Sequence, residues 1–205
     1  MLRIALTKGR VEEQFIPLLE RAGIDCTALH NKKRKLILPL NESLEVILVK
    51  GDDVVTYLNR GVVDMGVVGS DVLHEQGHRQ YELLDLNTGV CQFILASTEG
   101  FDLQKSKRLV IGTKYPRITQ DYFGQKGLDV EIIEIKGSVE LAPLVGLTDA
   151  IVDITETGTT LRENHLLIYD RLERVSTRLV VNPLALKQKK KDILQFTNLL
   201  KKYIK

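Results

Sequence analysis

Cysteine is scarce in this sequence of 205 residues: Cys26 and Cys91 are all there is, and neither number nor spacing resembles a disulfide framework or a zinc ribbon. A reducing compartment fits. An excess of one charge is also lacking, since 29 Lys and Arg face 27 acids, and a net +2 is too small to argue for a wholesale polyanion partner such as duplex DNA. No apolar run approaches membrane-spanning length. The first ten residues lack the apolar stretch and small-residue cleavage site of a secretory signal. A cytoplasmic chain is expected, with neither membrane nor nucleic acid among its partners. The Gly-x-x-x-x-Gly-Lys-Ser/Thr, Gly-x-Gly-x-x-Gly and Gly-x-Ser-x-Gly patterns are all missing, which excludes nucleotide handling by a P-loop. Internal repeats, low-complexity tracts and Pro/Ser-rich linkers are missing too.

What is there suits a folded chain of one or two lobes: hydrophobic residues make up 43% and charged residues 27%, ordinary globular usage. The charge is unevenly placed. From Lys187 to Lys205 seven lysines face Asp192 alone, a net +6, which leaves the body at −4. Short β-rich runs at 2–6, 44–49, 65–68, 92–96, 109–113, 131–135, 150–154 and 178–181 alternate with helical patterns, the grammar of an α/β protein. Val11, Phe15, Leu18, Leu19 and Ala22 predict a helix closed by Gly23, with a kink or late start at Pro17. Asp52 and Asp53 open a second helix ending near Gly61, and a third runs from Thr113 to about Gly127. Ile193, Phe196, Leu199, Leu200, Tyr203 and Ile204 form an apolar stripe that must be covered, by its own lobe or by a dimer partner. The places where the chain could pass between lobes lie near 87–89 and near Ser176.

The most informative stretch is residues 149–162 (DAIVDITETGTTLR). An apolar strand ends in two carboxylates, Asp153 and Glu156, and a Thr157-Gly158-Thr159-Thr160 turn opens a helix. This order suits a ribose 5-phosphate: hydroxyls and backbone N–H groups hold the phosphate, Gly158 permits close approach, and carboxylates accept from ribose hydroxyls. A capped helix after a strand explains the spacing equally well. Lys8, Gly9 and Arg10 repeat the logic after the first strand, although an exposed basic turn is the simpler account. Residues 31–35 (NKKRK) are a dense cationic loop without nearby aromatics for base stacking. Lys50 closes another strand and by itself is a surface lysine. His74, Glu75 and His78 match the H-E-x-x-H zinc pattern, but Gly77 and the end of apolar periodicity at Leu73 read as a fraying helix. Cys91 with His165 could form a thiol nucleophile and base; core packing is the simpler reading, since nothing places a base beside the thiol.

Taken in order, residues 4–10 (IALTKGR), 34–39 (RKLILP), 61–73 (GVVDMGVVGSDVL), 112–116 (GTKYP), 137–143 (GSVELAP) and 153–160 (DITETGTT) span nearly the whole chain. Together they resemble the short form of ATP phosphoribosyltransferase. The resemblance implies an α/β, two-lobed fold like that of type II periplasmic binding proteins, with an inter-lobe cleft. Residues 1–88 and 177–205 would form lobe I, and 89–176 lobe II with the phosphoribosyl pyrophosphate loop. It implies ATP and 5-phosphoribosyl 1-pyrophosphate as substrates, Mg²⁺ as cofactor, and a histidyl-tRNA-synthetase-like regulatory subunit completing a hetero-octamer. Alone, the chain would be a homodimer, and it is too short for the regulatory domain of the long form. Lys50 stands where relatives often carry arginine, which keeps the charge but not the bidentate fork.

The site expected from this resemblance uses Lys8, Arg34 and Lys50 for catalysis at the pyrophosphate, and Asp153, Glu156, Thr157, Gly158, Thr159 and Thr160 for the phosphoribosyl end. Either Asp153 or Glu156 meets the ribose. Arg10, Asp71 and Glu140 are expected on the ATP side, with no metal ligands among the side chains. The alternative from another class is a non-catalytic cytoplasmic solute-binding or sensor module of the same fold.

Overall fold

The computed structural model describes residues 1–77, 80–104 and 108–204. In chain order its elements are β1 (Leu2–Thr7), α1 (Arg10–Arg21), α2 (Thr27–His30), β2 (Ile37–Asn41), β3 (Leu44–Val49), α3 (Gly51–Asn59), β4 (Met65–Gly69), α4 (Ser70–Gln76), β5 (Tyr81–Asp85) and β6 (Cys91–Ser97). They continue with β7 (Leu109–Thr113), α5 (Pro116–Gln125), β8 (Val130–Glu134), α6 (Leu141–Leu144), β9 (Ala150–Thr155), α7 (Thr159–Glu163), β10 (Leu167–Val175), β11 (Thr177–Val181), α8 (Pro183–Gln188) and α9 (Lys190–Lys201). The chain divides into two compact units, one of Met1–Gly89 with Ser176–Lys205, the other of Val90–Val175. No helix of the described residues is long and apolar enough to cross a membrane.

The first unit is built on a six-stranded sheet of order β2-β3-β1-β4-β11-β5. Its centre is parallel, β1 lying between β3 and β4, while β2, β11 and β5 run antiparallel to their neighbours. Ile4, Leu6, Val46, Leu48, Met65 and Val67 face α1 and α9, and Ala5, Ile47, Val49 and Val68 face α3 and α4. Cover on both faces explains why the central strands read as continuous apolar runs rather than alternating ones. Gly66 lets α3 approach: a Cβ there would meet Val54 Cγ1 at 2.7 Å and Leu58 Cδ1 at 2.9 Å.

The late start expected at Pro17 does not occur, because α1 runs without interruption from Arg10. Pro17 sits on the solvent side, where water can satisfy the carbonyl its ring deprives of a partner, while Phe15, Leu18 and Leu19 are buried beneath. The apolar stripe of α9 packs on its own unit, with Ile193, Phe196 and Leu200 in the core beside α1. Tyr203, expected in that stripe, is exposed because α9 ends at Lys201.

The second unit carries a five-stranded sheet of order β10-β6-β9-β7-β8. Here β7 is parallel to both β8 and β9, and β6 pairs antiparallel with β9 and β10. Phe93, Leu95, Ile111 and Val152 pack under α5, and Ile94, Ala96 and Ile151 under α6 and α7. Side chains alternate along a strand, so the face of β9 that buries Ile151 also presents Asp153 and Thr155.

Candidate active site

At the carboxyl end of β9 the chain turns through residues 156–158 into α7. Glu140, Asp153, Glu156, Thr157, Gly158, Thr159 and Thr160 all line one cavity of about 230 Å³, with Ile94, Ile154, Thr155 and Leu161 completing its wall. Gly158 adopts a left-handed conformation, φ +70°, which an L side chain rarely takes. The turn is held by side chains on both sides. Gly158 N–H donates to Thr155 Oγ1 at 3.0 Å. Arg162 donates from Nη1 to the Thr157 carbonyl at 2.8 Å and from Nη2 to Thr159 Oγ1 at 3.0 Å. The Thr157 and Thr159 hydroxyls lie 3.0 Å apart. Asp153 is half-buried and accepts from the Ile154 N–H at 2.8 Å, which fixes one carboxylate oxygen. The cavity thus offers both hydroxyl donors and carboxylate acceptors.

Neighbouring strand ends reach the same edge of this sheet. Thr113 pairs in parallel register with Val152, so Lys114 follows β7 at the level of Asp153. In the sequence Lys114, Thr155 and Arg162 stand inside motifs without a role of their own, and the relation of Thr155 and Arg162 to Gly158 emerges only once the turn has closed.

In the first unit the expected cations gather at the carboxyl ends of the parallel strands. Lys8 follows β1 and its N–H donates to the Val49 carbonyl at 2.9 Å, which sets it beside Lys50 at the end of β3. Arg34 arrives from the other direction: β2 is antiparallel to β3, and the Leu48 N–H donates to the Leu36 carbonyl at 2.8 Å, so the residues before β2 lie at the carboxyl end of β3. Lys8, Arg34 and Lys50 are all exposed. Arg10 opens α1 after Gly9, whose φ of +78° makes the turn. Asp71 lies in the first turn of α4, and its carboxylate folds back so closely that a Cβ on Gly69 would sit 2.1 Å from Oδ1. Such an edge, with strand ends leading into helices, is where α/β sheets bind ligands.

Other chemistry recedes. The helix bearing His74 and Glu75 ends at Gln76, Gly77 turns away with φ +77°, and His78 is outside the described residues. Cys26 is buried, and loss of solvation followed by the nearby Glu20 and Asp25 charges pushes its thiol up to about 11, which suits packing rather than attack. Among the described residues no group of three His, Cys, Asp or Glu side chains could hold a metal ion.

Comparison with known proteins identifies the family. A family model described as ATP phosphoribosyltransferase matches residues 50–202. The ATP phosphoribosyltransferase of Lacticaseibacillus casei (strain BL23) is 62% identical over 201 residues, covering 98% of this chain and 95% of the relative. The solved ATP phosphoribosyl transferase (HisG:HisZ) complex from Thermotoga maritima contains a chain that superposes with a TM-score of 0.86 at 36% identity, covering 100% of this chain and 98% of the other. The periplasmic aliphatic sulphonate binding protein SsuA from Escherichia coli, at TM-score 0.60 and 13% identity over 97% of this chain and 70% of its own, shares the fold alone. The architecture is therefore that of type II periplasmic binding proteins, and the non-catalytic sensor alternative is not the reading these relatives favour. With its motifs at the strand ends and its identity to the relatives running over nearly the full length, the chain belongs to the ATP phosphoribosyltransferase family.

Proposed function

We infer that this chain joins N1 of ATP to the anomeric carbon of 5-phosphoribosyl 1-pyrophosphate and releases pyrophosphate, the step that opens histidine biosynthesis. One observation carries the reading: the acid-then-threonine turn after β9 lines a single cavity with both hydroxyls and carboxylates. The hydroxyls of Thr157, Thr159 and Thr160 and the backbone N–H groups at the start of α7 donate to the 5-phosphate, while the Gly158 N–H stays on Thr155 Oγ1. A carboxylate of Asp153 or Glu156 accepts from the ribose hydroxyls. Arg10 and Asp71 are assigned to ATP, and Glu140, which lines the cavity, is the weaker assignment there.

Adenine N1 carries its own lone pair, so no side-chain nucleophile is required. The N1–C1′ bond forms as the C1′–O bond to pyrophosphate breaks, and charge develops on the departing group. Lys8, Arg34 and Lys50 are unshielded by solvent-excluding packing and sit at one sheet edge, so they are assigned to neutralising that charge. Mg²⁺ is a hard cation that takes oxygen ligands and commonly arrives on phosphates with one or two carboxylates. Asp153 and Glu156, which line the cavity, are oxygen donors of that kind. When bound, the ion would offset pyrophosphate charge. A histidyl-tRNA-synthetase-like regulatory subunit, a hetero-octamer of the two and a cytoplasmic location complete the proposal; the HisG:HisZ complex solved for the Thermotoga maritima relative supports a partner subunit.

The test is to supply ATP, the activated sugar, Mg²⁺ and the regulatory subunit and to follow both pyrophosphate and phosphoribosyl-ATP. Both products are expected in equal amounts. Thr159→Ala is expected to raise KM for phosphoribosyl pyrophosphate about tenfold, the worth of one charge-assisted hydrogen bond, with an unchanged melting temperature. No pyrophosphate from the intact mixture overturns the function, and a cooperative loss of fold in Thr159→Ala favours a purely capping role for the turn.

A further inference from the structure

We propose that Arg162 is a positioning residue for the phosphoribosyl site, holding the Thr157–Gly158 peptide and the Thr159 hydroxyl in the orientation that receives a phosphate. The proposal rests on reading the turn after β9 as the sugar-phosphate site. A single peptide plane is gripped at both ends: its carbonyl, on Thr157, accepts from Arg162 Nη1 at 2.8 Å, and its N–H, on Gly158, donates to Thr155 Oγ1 at 3.0 Å. A plane so held cannot flip its carbonyl toward an incoming anion.

The second Arg162 bond directs a proton. A hydroxyl has one hydrogen and two acceptor positions. With Nη2 donating to Thr159 Oγ1 at 3.0 Å, one acceptor position is filled, which leaves the hydroxyl hydrogen to be given away. The Thr157 and Thr159 hydroxyls, 3.0 Å apart, spend one of their two hydrogens on each other, and with Arg162 donating to Thr159 and the Thr159 N–H donating to Thr157 Oγ1 at 3.4 Å, the pair keeps one hydrogen to give to a phosphate oxygen.

Charge makes this arrangement matter. Among the described residues, the side chains lining the cavity include three carboxylates, Glu140, Asp153 and Glu156, and no cation. The Arg162 guanidinium, bound directly to the lining residues Thr157 and Thr159, places a fixed positive charge behind the donors. A Cβ on Gly158 would meet Arg162 Nη1 in ordinary contact at 3.4 Å, so it is the left-handed backbone, φ +70°, that calls for glycine at this point. Arginine supplies donors in a rigid fork, whereas lysine, a point charge with three rotatable donors on a flexible stem, does not fix their directions.

The experiment compares Arg162→Ala, Arg162→Lys, Thr155→Val and Thr159→Ala in the complex with the regulatory subunit, measuring kcat, both KM values and melting temperature. Arg162→Ala is expected to raise KM for phosphoribosyl pyrophosphate about tenfold or more while KM for ATP and melting temperature hold, with Arg162→Lys intermediate and Thr155→Val shifted the same way. An unchanged KM for phosphoribosyl pyrophosphate in Arg162→Ala overturns the proposal. So does a parallel rise in both KM values with a lowered melting temperature, the mark of a merely structural role, or a fall in kcat alone. Should Arg162→Ala not fold, Arg162→Lys decides by the same criteria. If Thr159→Ala raises that KM and Arg162→Ala does not, the positioning role alone fails. If neither does, the reading of the turn fails with it.

Discussion

Arg34→Ala is expected to lower kcat by about a hundredfold or more, the loss found when one preorganised donor to developing charge is removed, with little change in melting temperature. Arg34 is exposed, so truncation removes no core packing. Its position at the carboxyl end of β3, beside Lys50 and Lys8, is set by main-chain hydrogen bonds that the substitution leaves alone. Arg34→Lys retains the charge without the fork and is expected to recover part of the loss. Steady-state kinetics with pyrophosphate detection decides the matter, and unchanged turnover in Arg34→Ala removes this residue from the mechanism.

Lys32→Ala is expected to cost about 2 kcal/mol of stability and to lower the melting temperature by about 4–8 °C. Glu12 is 3% exposed in the first turn of α1, and Lys32 supplies its counter-ion from the cationic loop. Removing one partner of a buried pair commonly costs 3–5 kcal/mol; the lysine side chain is 36% exposed, and solvent screening reduces the figure. The pair also pins the loop two residues before Arg34, so the same variant is expected to show a reduced kcat. Glu12→Gln in the Lys32→Ala background removes the stranded charge and should restore much of the stability. Thermal unfolding of the four chains of this cycle gives the coupling, and a loss below about 0.5 kcal/mol in the single variant would make the pair a surface ornament.

This buried pair illustrates how the chain hides part of its organisation. Read along the sequence, residues 31–35 form a uniform run of charge, a solvated face or a patch for polyanions. Folding divides the run: Lys32 is taken up by Glu12, while Arg34 is left exposed at the sheet edge. The strands show a related division. The eight runs read as strands correspond to β1, β3, β4, β6, β7, β8, β9 and β11, and the three unread strands, β2, β5 and β10, are all edges of their sheets. An edge strand has one partner and weaker demand for apolar side chains. Accordingly β2 tolerates Pro39 and leaves Ile37 58% exposed, and β10 carries Asp170, Arg171, Glu173 and Arg174 across two register irregularities.

The sequence by itself determined the α/β class, the central strands and the family, because apolar runs, glycine turns and contiguous motifs are local patterns whose physics needs no distant partner. It also held the whole acid-threonine turn, since strand, turn and helix there are adjacent in the chain. Only the tertiary structure decided that Lys8, Arg34 and Lys50 meet at one sheet edge, through the parallel register of β1 with β3 and the antiparallel return of β2. It likewise decided that Arg162 and Thr155 grip a single peptide plane of the turn. The reason is geometric: strand pairing and a left-handed glycine bring side chains together through hydrogen bonds between main-chain groups, and those groups are the same in every residue but proline, so the letters of the sequence do not record which of them will meet.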